Sequence, residues 1–254
     1  EMVKKVRKSS NYVGILTRIF SKVSITSLTL NSKEEPFFFE PILYGNFNLV
    51  KLFIQAGTNI NQVDKNGLNV IYKLMSIAKD LPNDVGQKRY HSTLKSVIDM
   101  RANVNALDKF GGTTLHKAIL ENDVQTVKML MNSNSNMDAK DKQGRNYMHN
   151  SIWKNRVQIM RVVHATNAKL INTPDGYGVL PINYAAFLGY TDLVLELITL
   201  GANINNTYKK KPYILEFLQR FHKNIVPMIK DTRNATDQRH VAELVKNMRE
   251  EFEF

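Results

Sequence analysis

The sequence predicts an all-α fold, a solenoid of about five helix-turn-helix repeats with helical caps at both ends, and three observations carry that prediction. An Asp-x-x-Gly step recurs at Asp64–Gly67, Asp108–Gly111, Asp141–Gly144 and Asp175–Gly178, the middle two copies beginning 33 residues apart. After each step the chain reads as a turn followed by two short helices, with apolar residues at helical spacing. Similar endings then follow, at Gly57-Thr-Asn-Ile-Asn61, Arg101-Ala-Asn-Val-Asn105 and Gly201-Ala-Asn-Ile-Asn205.

Each part of the unit has a physical reason. Gly gives the turn its backbone freedom, Asp bonds nearby amides, and a small polar residue such as Thr113 caps the free N–H groups of the helix that follows. In the second helix of the central unit Val124, Val127, Leu130 and Met131 make one apolar face. One repeat cannot bury that face alone, so its neighbours must stack on it. With these motifs in register over roughly residues 31–206, the chain resembles the ankyrin-repeat family, a period of 33 being characteristic of it.

In chain order, residues 1–30 carry Lys4, Lys5, Arg7 and Lys8, then Val13, Ile15, Leu16, Ile19, Phe20 and Val23 at near-helical spacing. This basic amphipathic segment reads as a cap or linker, with contact to a membrane surface as the other reading. Residues 31–63 form a degenerate first repeat in which Pro36-Phe-Phe-Phe39 replaces the helix-opening motif. The next interval, Asp64 to Asp108, is 44 residues and so 11 longer than the period. The excess is placed near 76–93, where Pro82, Asn83, Asp84 and Gly86 signal a turn or loop, a lengthened helix being the alternative. The repeats from Asp108 and Asp141 end on Asn134 and Asn167 in place of Gly, and Asn is the residue that best tolerates a left-handed backbone. Beyond 206 the repeat signature fades, and residues 207–254 read as a helical C-terminal cap.

Composition bounds the function. The chain has 254 residues, 43% of them hydrophobic, and 35 basic against 23 acidic side chains give a formal charge of +12. Contact with acidic protein surfaces, nucleic acid or anionic lipid is therefore electrostatically easy. The lack of Cys excludes disulfides, thiolate catalysis and cysteine metal sites. No uncharged apolar run is long enough to span a bilayer, and the absence of a signal-peptide pattern predicts a cytoplasmic location.

No catalytic constellation is present: phosphate-cradling glycine motifs and Gly-x-Ser-x-Gly are missing, so no enzyme activity and no cofactor are expected. His116 and His149 are 33 apart and occupy one position in adjacent repeats. The resemblance implies that this His ties neighbouring turns by hydrogen bonding, and no metal site is expected. It also implies a scaffold whose partner is another protein, an acidic or amphipathic segment bound on the concave face. The alternative function is a regulatory or targeting module of a larger enzyme or signalling protein, near a membrane or nucleic acid. No base-reading motif supports nucleic acid.

On the same resemblance the partner-binding positions are the helix ends before the inter-helix turn, Tyr44, Ile77, Leu120, Trp153, Lys154, Phe187 and Leu188. The turn tips Lys65, Lys109, Phe110, Lys142, Arg145 and Tyr177 complete the set.

Overall fold

The computed structural model describes residues 36–43, 46–55, 57–78, 80–81, 84–205 and Ile214. The basic segment at 1–30, Tyr44, and the expected cap at 207–254 apart from Ile214 lie outside the described residues. The chain divides into two compact units, Glu1–Asn136 and Met137–Phe254.

The Asp-x-x-Gly step is one turn built four times. In each copy the Asp Oδ1 accepts the N–H groups of the second and fourth residues on: Asn66 and Leu68 for Asp64, Phe110 and Gly112 for Asp108, Gln143 and Arg145 for Asp141, Tyr177 and Val179 for Asp175, all at 2.8–3.0 Å. The Gly of each copy has φ between 73° and 79°, a conformation that side chains resist. A helix start then follows. Thr113 caps one helix with its hydroxyl on the His116 N–H while the His116 ring accepts from the Thr113 N–H, and Asn146 and His149 repeat this reciprocal cap. Asn69 does the same work for the preceding repeat, its Oδ1 accepting from Ile71 and Tyr72.

In the first unit a 3-10 turn, Phe37–Phe39, leads into α1, Glu40–Leu43, followed by α2, Phe47–Gln55. Helices α3, Val70–Ala78, and α4, Asp84–Asp99, form the next pair, then α5, Thr114–Glu121, and α6, Val124–Met131. Helix α1 packs on α3 and α3 on α5, while α2 packs on α4 and α4 on α6, so the unit has two helical layers. Ile42, Ile71, Leu74, Leu115 and Ile119 fill one layer, and Leu49, Phe53, Leu94, Val97, Val127 and Leu130 the other, all buried.

Much of the excess length of the second repeat is a lengthened helix that takes in Asp84 and Gly86, whereas Pro82 and Asn83 lie outside the described residues. Helix α4 has 16 residues and contains Gly86. Its first turns are held because Gln87 donates to the Ala78 carbonyl at 2.6 Å and because Tyr90 is fully buried. The burial of Tyr90, Leu94 and Val97 on one stripe outweighs local turn preference. The lengthened helix also reaches the next repeat. Tyr90 Oη donates to Asp123 Oδ2 at 3.2 Å and lies 3.1 Å from Thr126 Oγ1, and His91 Nε2 is 3.2 Å from Asp123 Oδ1. Burial opposes ionisation of Asp123, but His91 and the Thr126 donors outweigh it and hold its carboxyl below the ordinary range.

The second unit contains α7, Tyr147–Trp153, α8, Val157–Thr166, a 3-10 turn, Ala168–Asn172, α9, Pro181–Phe187, and α10, Thr191–Thr199. Helix α7 packs on α8 and α9, and α9 on α10, with the 3-10 turn against α7, α8 and α9. Arg161 of α8 grips Glu196 of α10 with two parallel bonds from one guanidinium edge, Nε and Nη2 each donating to a carboxylate oxygen. The turns at Asp141 and Asp175 meet backbone to backbone: Gly176 N donates to Gln143 O at 2.9 Å, and a Cβ on Gly176 would stand 2.7 Å from that oxygen.

The two Asn endings differ. Asn134 is left-handed with φ 61°, as expected, whereas Asn167 is not, with φ −146°. After α8 the chain buries Leu170 and Ile171 in the 3-10 turn, and an extended Asn167 directs it there.

A second set of side chains links successive repeats at their lower turns. The Asn61 amide accepts from Asn103 N at 2.8 Å and donates to Arg101 O at 3.5 Å; Asn105 does the same to Asn136 N and Asn134 O, and Asn172 to Asn203 N and Gly201 O. Nearer the helices, Tyr72 Oη donates to Gly112 O of the next repeat, while Asn69, donating to Asn103 O, and Asn146, donating to Leu170 O, fasten the ends of their own repeats.

Candidate functional site

Each turn carries three positions that shape the groove between the turn tip and the adjoining helix. Counted from Asp, the first residue is Lys65, Lys109, Lys142 or Gly176; the second is Asn66, Phe110, Gln143 or Tyr177; the ninth is Lys73, Lys117, Asn150 or Tyr184. The ninth lies one turn into the helix and faces back to its Asp in two copies. Lys73 Nζ is 2.8 Å from Asp64 Oδ2, and Tyr184 Oη donates to Asp175 Oδ2 at 2.7 Å. Burial works against the Asp64 carboxylate, yet the Lys73 ammonium and the turn N–H groups hold its pKa below the ordinary value. Burial first, then the adjacent Asp175 carboxylate, pushes the Tyr184 phenol up, so it stays a hydrogen-bond donor at neutral pH.

In the first unit a depression of about 280 Å³ is lined by Tyr72, Ser76, Asp108, Lys109, Phe110 and Lys117, among others. Phe110 is 60% exposed. Its ring carries the Lys109 ammonium 5.0 Å from the centroid, a cation–π contact made within the chain.

In the second unit a depression of about 200 Å³ is lined by Trp153, Asp175, Tyr177, Tyr184, Phe187 and Leu188, with Val179 at its edge. Trp153 is 44%, Phe187 49% and Tyr177 73% exposed. Tyr184 is fixed in place: its hydroxyl is on Asp175, its ring meets His149 edge-on at 5.0 Å, and it meets Trp153 at 5.9 Å. His149 is itself anchored by Nε2 on the Val179 carbonyl at 3.0 Å. A buried histidine, a tyrosine and an exposed tryptophan thus form one chain of ring contacts leading to the surface.

The thirteen positions named from sequence divide accordingly. Lys109 and Phe110 share the first depression, and Trp153, Tyr177, Phe187 and Leu188 share the second. Lys65, Lys142 and Lys154 are exposed outside both, Ile77 is half-buried on α3, and Leu120 is exposed at the end of α5. Arg145 is partly buried, its Nε donating to Asp141 Oδ2 at 2.8 Å. Tyr44 is outside the described residues. Sequence reasoning missed Tyr184, Asp175, Tyr72 and Lys117. The available signal was the ninth position of the turn, where Tyr184 stands in register with Lys73 and Lys117.

Among the described residues no group of three or more His, Asp or Glu side chains is placed to hold a metal ion. Nor, among the described residues, is any helix long and apolar enough to cross a membrane. Residues 85–170 match the family model for ankyrin repeats, in three copies. No match among curated proteins was found.

Proposed function

Because the chain carries ankyrin repeats, which are in general protein–protein interaction modules, we propose that it is a scaffold that binds an amphipathic segment of another protein on the concave face of the repeats. The observation that carries this reading is the group of exposed aromatic side chains at helix ends and turn tips. Phe110 in the first unit, and Trp153, Tyr177 and Phe187 in the second, present large apolar area beside fixed polar groups. Water covers such area at a cost, and aromatic anchors commonly dominate binding energy. Acidic groups of the partner would meet Lys65, Lys109, Lys142 and Lys154, and the net charge of +12 would speed their encounter.

The test is affinity capture from the native source with the wild-type chain, followed by the binding constant of the captured partner for Trp153→Ala and Phe110→Ala. Each variant should keep its circular dichroism spectrum and lose at least tenfold in affinity, the loss expected of a hot-spot aromatic. If both variants keep fold and affinity unchanged, this surface is not the site.

A further inference from the structure

The two depressions are the same groove in register, and they differ in one property. In the first unit the chain supplies its own cations: Lys109 lies over Phe110, and Lys117, at the ninth position, lines the same depression with its ammonium paired to Glu121 at 3.0 Å. Elsewhere Asp64 has Lys73 and Asp141 has Arg145. The Asp175 groove has neither Lys. Gly176 holds the first position, where a side chain would strike the Gln143 carbonyl, and Tyr184 holds the ninth. Asp175 accepts from the Tyr177 and Val179 N–H groups and the Tyr184 hydroxyl, and pairs with no cation among the described residues. Two cations stand nearby: Arg145 is hydrogen-bonded to Asp141 while its charge still reaches Tyr184, and Lys140 donates to the Pro174 carbonyl.

The groove is therefore lined by the aromatic side chains of Trp153, Tyr177, Tyr184 and Phe187 together with the Asp175 carboxylate. Aromatic faces attract ammonium and guanidinium groups, and they do so most strongly when the cation also loses water against an anion. A neutral apolar anchor would gain nothing from Asp175. We propose that this groove receives one cationic side chain, lysine or arginine, of the partner polypeptide, in the place that Lys109 and Lys117 fill in the first unit. The proposal rests on the protein-binding reading and specifies one anchor of the partner segment.

Trp153 is the only tryptophan and lines the groove, so its fluorescence reports occupancy directly. The probes are blocked pentapeptides Gly-Ala-X-Ala-Gly in which X is lysine, trimethyllysine, arginine or norleucine. The cationic peptides should give a saturable change in Trp153 emission at about tenfold lower concentration than norleucine, the worth of a desolvated cation–π contact. Asp175→Asn, which can still accept the two turn N–H groups, should bring the cationic peptides to the norleucine level and leave norleucine unchanged. Tyr177→Ala, at an exposed tip, should weaken the cationic peptides without touching the fold, and it carries the test if the Asp175 variant unfolds. Phe110→Ala should have no effect. Equal binding of norleucine and lysine overturns the proposal and leaves an apolar anchor, with the scaffold reading intact. No emission change with any peptide overturns it too. Loss of the scaffold reading would show separately, as a native partner indifferent to Trp153→Ala and Phe110→Ala.

Discussion

Arg101 is the residue at which local preference and fold disagree most openly. It stands where Gly57 and Gly201 stand in other repeats, with φ 64°, and its carbonyl is held by Asn61. A left-handed conformation costs an L-residue about 1–2 kcal/mol, of which Gly would return part, since Gly loses more entropy on folding. Arg101→Gly should therefore stabilise the chain by about 0.5–1 kcal/mol, seen as a higher urea midpoint; a lower midpoint would mean that the Arg side chain contributes more than its backbone costs. His149 makes the opposite kind of bargain. Burial pushes its pKa down to about 4, against the weaker opposing effect of the Val179 carbonyl bond. The folded imidazole stays neutral while the unfolded one protonates near its ordinary value of 6.5. Stability from this group is fully present above about pH 6.5 and falls as the pH is lowered towards 4, by about 3 kcal/mol over the window. Urea titrations between pH 7 and pH 4.5 should show a shallower decline for His149→Gln than for the wild type, and equal slopes would remove the claim.

At the scale of the element, α4 makes the sharpest test. Replacing residues 80–89 by a short Gly-Ser turn removes Gln87 and the first turns that bring Tyr90 and His91 to Asp123. Helicity by circular dichroism and the urea midpoint should both fall. An unchanged spectrum would show that those turns are dispensable. The same helix marks the limit of what was legible in the residues. Gly86 is a local turn signal, and only the distant partners of Tyr90, Leu94 and Val97 reverse its message. The four Asp-x-x-Gly turns were readable because the bonds from the turn N–H groups to the Asp carboxylate span four residues or fewer. Four of the seven residues lining the second groove were readable as well: Trp153, Tyr177, Phe187 and Leu188 follow from register with turn tips and helix ends. Tyr184 and Asp175 did not, because their value lies in the pairing of one with the other; the register of the ninth position marks where Tyr184 sits but not that it bonds Asp175.

For the molecule as a whole, both compact units obey one rule of construction, and the first should fold by itself. Residues 1–136 alone should give a helical spectrum and a cooperative thermal transition, whereas a sloping, featureless melt would show that this unit depends on the rest of the chain. The rule concerns who holds whom. Asn61, Tyr72 and Asn105 in the first unit, and His149 and Asn172 in the second, belong to the earlier repeat and grip main chain of the later one, whereas Thr114 reaches back to the Val104 carbonyl. The fastening has a prevailing direction. A ribosome delivers the side chains that clasp before the backbone they clasp, so a nascent repeat meets a finished template as it emerges, and domains that fold during synthesis begin from that end. Main chain can be clasped whatever its side chains are, which leaves the surface of each later repeat open to change while its seat in the stack stays the same.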